Sequence, residues 1–264
     1  MRLYIDGIGL SGPGLPDWAT GAPILAGRSV YEAAPVVLVP SPLLPPAERR
    51  RMTDTVKLAL AIGSEAVAYA GCRAEHVPSV FASSGGDGVT IVSILEILAS
   101  EQREVSPTRF HNSVHNAPSG YWSIATHSRE SSTSVCAYDY SFSTGLLEAA
   151  SLAVSEGRPV LLVSYDMPYP PALDAARPIF SIFGTALILS PERSGRSLAA
   201  ITLALGPGDA AETAMPTAAL ERLRSGNPAA RALPLLAAVA EGAARTMAIR
   251  MMAGNLLTLA VAPP

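Results

Sequence analysis

Lysine is nearly missing from this chain: Lys57 is the only one among 19 basic residues. Charge of either sign is sparse, at 16% of 264 residues, and the formal net charge is −3. That balance offers no basic face for nucleic acid. The one basic run, Arg49-Arg50-Arg51, sits near a helix start. Such runs are usually solvated faces, with contact to an acidic carrier protein as the functional alternative. Cysteine is scarce as well. Cys72 and Cys136 give no disulfide framework and fit a reducing cytosol. The N-terminal MRLYIDGIGL carries an acid and lacks the long apolar core of a signal peptide. Glu241, Arg245 and Arg250 break the C-terminal apolar run, so no stretch reaches the roughly 18–20 residues of a membrane span. Histidine stops early: His76, His111, His115 and His127 are the whole set.

Apolar residues, by contrast, make up 49% of the chain, enough for one large core or two small fused ones. A positive mean hydropathy with so little charge suits an Ala-rich core, or a surface covered by another chain.

Leu3–Leu10 reads as an opening strand, and Val36–Val39 as a second strand or ladder edge. Ala47–Tyr69 reads as one long helix between Pro46 and Gly71. Pro78–Ala82 is a strand, and Val89–Ala99 a helix with Ile91, Ile94, Leu95 and Leu98 on one side. Ser132–Tyr138, Ser141–Glu156 and Val160–Tyr165 read as strand, helix and strand, a parallel crossover. Thr185–Ser190 and Leu198–Leu205 suggest an antiparallel pair. After Gly206 the segments look helical and Ala-rich, with Leu256–Val261 fitting a last strand. The alternation predicts a layered α/β fold.

The chemistry-bearing stretch is Cys136-Ala137-Tyr138-Asp139-Tyr140-Ser141, a strand feeding a helix through a sharp turn. A helix start offers unpaired N–H groups and partial positive charge, a good mount for a thiolate. The turn residue here is Asp139. The structural expectation for Asp139 is a helix cap. By alternation Cys136 lies inside the strand as an inert small hydrophobe. Pairing of Cys136 with His111, His115 or His127 is the catalytic alternative, and Ser141 and Ser143 read as helix-start residues. His111 and His115 stand four apart, but no third ligand stands near, so no metal site is expected. Gly85-Gly86-Asp87-Gly88 lacks the Lys-Ser/Thr of a P-loop and reads as a tight turn.

These residues resemble the β-ketoacyl synthase family. Arg50-Arg51-Met52 with Lys57-Leu58-Ala59-Leu60-Ala61 is similar to that family's RRM…KLAL helix. Asn112-Ser113-Val114-His115-Asn116-Ala117 is similar to its N-x-x-x-N-A segment, and Phe183-Gly184-Thr185-Ala186 to a later buried strand. MRLYIDGIGL resembles its first strand. Registering Ser131–Ser134 on the family's Gly-Pro-Ser places Asp139 where the nucleophilic cysteine stands. The strings HNSVHNAPSGYWSIAT and AYDYSFSTGLLEA resemble truncated chain-length-factor-like subunits of aryl polyene synthases.

The resemblance implies a thiolase-like layered α-β-α fold. Residues 1–205 would be the ketosynthase-like N-terminal half, and 206–264 a shortened, helical remnant of the second. It implies a non-catalytic subunit in the cytoplasm, with no cofactor. The nucleophile is replaced by Asp139, and the family's two C-terminal histidines have no counterpart. The implied partners are a full-length ketosynthase, paired through Ser132–Tyr138, and an acyl carrier protein with its acyl chain. The interface or acyl tunnel would involve Asn112, Asn116, Tyr121, Trp122, Ser134, Cys136, Tyr138, Tyr140 and Phe142. An independent acyltransferase or thioesterase using Cys136 or Ser141 is the alternative.

Overall fold

The computed structural model describes residues 1–101, 103–252 and 254–264. The strands are β1 (Arg2–Ser11), β2 (Ser79–Ala82), β3 (Ser132–Val135), β4 (Val160–Asp166), β5 (Phe183–Ser190), β6 (Ala199–Pro207), β7 (Arg245–Arg250) and β8 (Asn255–Ala262). Among the described residues they form one eight-stranded sheet in the order β3-β2-β4-β5-β1-β6-β8-β7. β2, β3 and β4 are parallel, and every other pairing is antiparallel.

The helices are α1 (Trp18–Leu25), α2 (Pro46–Arg49), α3 (Asp54–Ala70), α4 (Gly88–Ala99), α5 (Pro107–Ser113), α6 (Ala117–Thr126), α7 (Ser141–Glu156), α8 (Pro171–Asp174), α9 (Ala218–Gly226) and α10 (Leu233–Glu241). They cover both faces of the sheet. One core joins Leu162, Leu187 and Ile201 to α7 and α10. The other joins Leu161, Val163 and Ile188 to α3 and α6. Side chains alternate along a strand, so β4 feeds both cores with successive residues. The result is the layered α-β-α arrangement of a thiolase-like fold. α3 lies very close to β1 because Gly9 has no side chain; a Cβ there would collide with the Ile62 carbonyl.

Several expected boundaries shift. The long helix over 47–69 is two: Thr53 accepts the Val56 N–H through Oγ1, starting α3 afresh after α2. Val36–Val39 forms no strand. Pro35 and Pro40 flank it, Val37 and Val39 face solvent, and only Leu38 touches a core. β5 and β6 do not pair with each other, since β1 lies between them: Tyr4 faces Ser190 on one side and Ala200 on the other. The segment after Gly206 is not helical alone, because β7 joins β8 at the sheet's far edge. Strand β3 ends at Val135, short of Tyr138. On α4, Leu95 and Leu98 are exposed, because the helix rests on α5 and α8 rather than on the sheet.

Candidate functional site

The C-terminal ends of the parallel strands β2, β3 and β4 converge on one polar cluster. From β3 the chain passes through Cys136 and Ala137 into a single 3-10 turn, Tyr138–Tyr140, and then into α7. Tyr138 holds φ +53, the left-handed region that a bulky residue rarely adopts. Ser141 staples the turn: its Oγ accepts the Ala137 N–H at 3.1 Å and donates to the Tyr138 carbonyl at 2.8 Å. Ser141 is fully buried and both roles of its hydroxyl are spent on backbone.

Asp139 does not cap α7. The N-cap position of α7 is Tyr140, with no side-chain cap, and the Asp139 carboxylate turns to Arg177. Arg177 Nη1 lies 2.7 Å from Asp139 Oδ1, with side chains 17% and 37% exposed respectively. The guanidinium also makes a cation–π contact with Tyr138, its Cζ 3.5 Å from the ring centroid. Burial alone would weaken the charge on Arg177, but the hydrogen bond and field of Asp139 outweigh it and hold the cation more firmly. The turn residue is therefore engaged by a cation rather than by the helix end.

Beside this pair lies a second carboxylate. Asp166 ends β4 fully buried, and its Oδ1 accepts from the Ser84 N–H at 2.8 Å, Ser84 Oγ at 2.7 Å and Ser83 Oγ at 3.2 Å. Burial pushes its pKa up to about 6, against the pull of those hydrogen bonds and of Arg177. His115 places Nε2 3.0 Å from the Ser83 carbonyl. Cys136 is exposed past the strand end, not inside it, and its thiol donates to the Ser84 carbonyl at 3.2 Å. Tyr169 packs on Gly85, where a Cβ would strike its ring hydroxyl. The Gly85–Gly88 turn thus makes room for an aromatic side chain.

The predicted interface residues divide. Tyr121, Trp122 and Asn112 are buried beneath α5 and α6, where Tyr121 donates to Asn112 Oδ1 and Asn112 donates to the Arg51 carbonyl. Phe142 is buried in the opposite core. Asn116, Cys136 and Tyr138 are exposed, and Ser134 and Tyr140 are half-buried around the elbow. His111 packs edge-on against Tyr121, away from His115. Arg49, Arg50 and Arg51 are all exposed. Arg177, Asp166, Ser83, Ser84 and Tyr169 were not anticipated. The one legible signal was Asp166, an acid ending a strand that opens Val-Leu-Leu-Val.

Residues 26–250 match the family of β-ketoacyl synthase N-terminal domains, and the chain belongs to that family. No curated protein matches it. Among solved structures, the chain is similar to one from the ketosynthase ApeO in complex with its chain length factor ApeC, from Xenorhabdus doucetiae. That match has a TM-score of 0.73 at 22% identity and covers 98% of this chain and 99% of the other. The ishigamide ketosynthase/chain length factor gives 0.72 at 16% identity, covering 99% of each chain. A type II polyketide acyl-carrier protein complex with its ketosynthase, AntDE:AntF, gives 0.75 at 13% identity, covering 100% and 99%. No helix among the described residues is long and apolar enough to cross a membrane.

Proposed function

We propose that this chain is a non-catalytic chain-length-factor subunit that pairs with an active β-ketoacyl synthase and shapes its acyl tunnel. The observation that carries this reading is the elbow: Asp139 stands at the turn and is spent on Arg177. A carboxylate cannot hold an acyl group as a stable thioester, and among the described residues no imidazole bonds to Asp139. The open edge of β3 supports a partner. Ser132–Val135 pairs only with β2 among the described residues, leaving one side of its backbone unclaimed. Exposed Phe110, Val114, Ile124 and Tyr138 lie on the neighbouring elements. The end-to-end likeness to chains from ketosynthase/chain-length-factor complexes supports the same assembly.

In this reading residues 1–205 are the ketosynthase-like half and 206–264 the reduced second half. Asn116, Ser134, Cys136, Tyr138 and Tyr140 meet the cytoplasmic ketosynthase directly. Asn112, Tyr121, Trp122 and Phe142 set the shape behind them. The growing chain, of aryl polyene type, arrives on an acyl carrier protein.

Co-expression with the neighbouring full-length ketosynthase tests the assembly. A stable 1:1 complex by size-exclusion chromatography is expected. Separate elution, with the ketosynthase elongating normally alone, ends the reading. The exposed thiol of Cys136 favours a second reading, an independent acyltransferase or thioesterase. Covalent labelling of the isolated chain at Cys136 by an acyl-CoA probe would establish that reading instead.

A further inference from the structure

We propose that the elbow is an anion-binding site and that Asp139 is the anion built into it. The inference rests on the elbow reading above and on no partner.

Arg177 is positioned by more than its ion pair. Its guanidinium carbon sits over the Tyr138 ring, 3.5 Å from the centroid, so the aromatic face holds the cation from one side. The segment that carries it is fastened at both ends. On its C-terminal side the Phe180 N–H bonds the Gly226 carbonyl at 2.8 Å. Tyr169, on the same segment, is seated on Gly85. The cation is therefore held in place whether or not residue 139 is charged. One end of the fork, Nη1, faces Asp139 Oδ1 at 2.7 Å; the other, Nη2, is buried with no hydrogen-bond partner among the described residues. A planar fork with a free donor is matched by a ligand with two coplanar oxygens. The ligand class is a small carboxylate.

In the intact chain that position is filled from within. A tethered carboxylate acts at an effective concentration of roughly millimolar or above, so a free acid competes poorly. Taking Asp139 away leaves a fixed guanidinium and a space one carboxylate in size. The elbow is thus closed by substitution of the occupant, while the cationic surroundings of an anion site persist.

The test is chemical rescue of the full chain, followed by thermal melting at fixed ionic strength. Asp139→Ala should melt roughly 2–4 °C lower than wild type. Formate at roughly 10–100 mM should restore most of that loss by binding the folded state. Chloride at equal ionic strength should not. The wild type and the double variant Asp139→Ala/Arg177→Ala should ignore formate. Should the alanine variant fail to fold, Asp139→Asn serves, with a melting temperature that rises with formate more than the wild type's does. The proposal is overturned if Asp139→Ala melts with the wild type, if chloride restores it as well as formate, or if the formate response survives loss of Arg177. The rescue needs no ketosynthase and the 1:1 complex needs no formate, so either idea can fail alone.

Discussion

The two edges of the sheet are treated in opposite ways. At β7 the chain covers its own edge. The Thr213 N–H reaches the Ala248 carbonyl at 2.9 Å, Thr213 Oγ1 takes the Ala248 N–H at 3.0 Å, and Glu212 takes the Arg250 N–H at 3.0 Å. Arg224 and Arg231 then close on Glu212 from α9 and the following 3-10 turn. At β3 no comparable strap is present among the described residues; a four-residue strand of Ser, Thr and Val meets solvent beside exposed apolar side chains. An open edge is a hazard that a chain normally blunts. This chain blunts one and leaves the other, and that contrast is what the proposed pairing through β3 rests on.

The largest test of that contrast removes the β7 strap. Glu212 is 14% exposed and draws Arg224, Arg231 and a backbone N–H onto one carboxylate. Glu212→Ala strands the mostly buried Arg231, while Arg224 keeps Glu221, and losing that pair costs about 3 kcal/mol by the usual penalty for breaking a buried pair. Urea unfolding should show it as a lower midpoint. Burial opposes ionisation of Glu212, but the Arg250 N–H and the Arg231 and Arg224 charges win and hold its carboxyl below the usual range. Its stabilisation is present above the unfolded value of 4.5 and fades as pH falls through the lower folded value. A variant as stable as wild type would mean the strap is ornamental and the two edges are alike.

Most of the layered architecture was legible because burial imposes period. The helix over Ser141–Glu156 and the apolar strand beginning at Val160 follow from composition and spacing alone. β7 was equally regular, with Met247 and Ile249 turned inward, yet its Arg ends read as interruptions of an apolar run. The pairing of β5 and β6 was misjudged because sequence neighbours usually pair, and nothing local reveals that β1 intervenes. At the elbow, Asp139 was readable but Arg177 was not. It belongs to a Pro-rich loop with no periodic signal, and its contact with residue 139 exists only after folding. The capping role expected of Asp139 lost because a charged partner outweighs a helix-end N–H.

A smaller effect separates the two ends by pH. Asp166 is fully buried with a pKa near 6 against an ordinary 3.8. Between those values the folded protein binds a proton that the unfolded chain does not. Stability at the elbow end therefore falls as pH rises through that window and levels off above it, by up to about 1.4 kcal/mol per pH unit. This slope is opposite to that of Glu212, which loses stability on acidification. Asp166→Asn keeps an Oδ1 acceptor for Ser83 and Ser84 and replaces an Oδ2 that has no partner. Urea unfolding from pH 4 to 7 should show the slope in wild type and its loss in the variant. A slope that persists would place the titration elsewhere.

The smallest effect on the isolated chain should be the largest on assembly. Phe110 and Ile124 are 67% and 41% exposed and belong to neither core. Substitutions at such surface positions usually change stability by less than about 0.5 kcal/mol. Phe110→Asp with Ile124→Asp should therefore unfold with the wild type in urea. At an interface the same changes bury two charges without partners, which desolvation penalises far more than exposure does. Capture of the ketosynthase should fall by at least about tenfold, the equivalent of about 1.4 kcal/mol. The same double change made beside the other edge, at Leu205 and Met252, also alters exposed apolar residues. It should leave capture intact, because that edge is already closed by its own chain. Equal loss of capture from both pairs would erase the distinction between the edges, and loss from the second pair alone would reverse it.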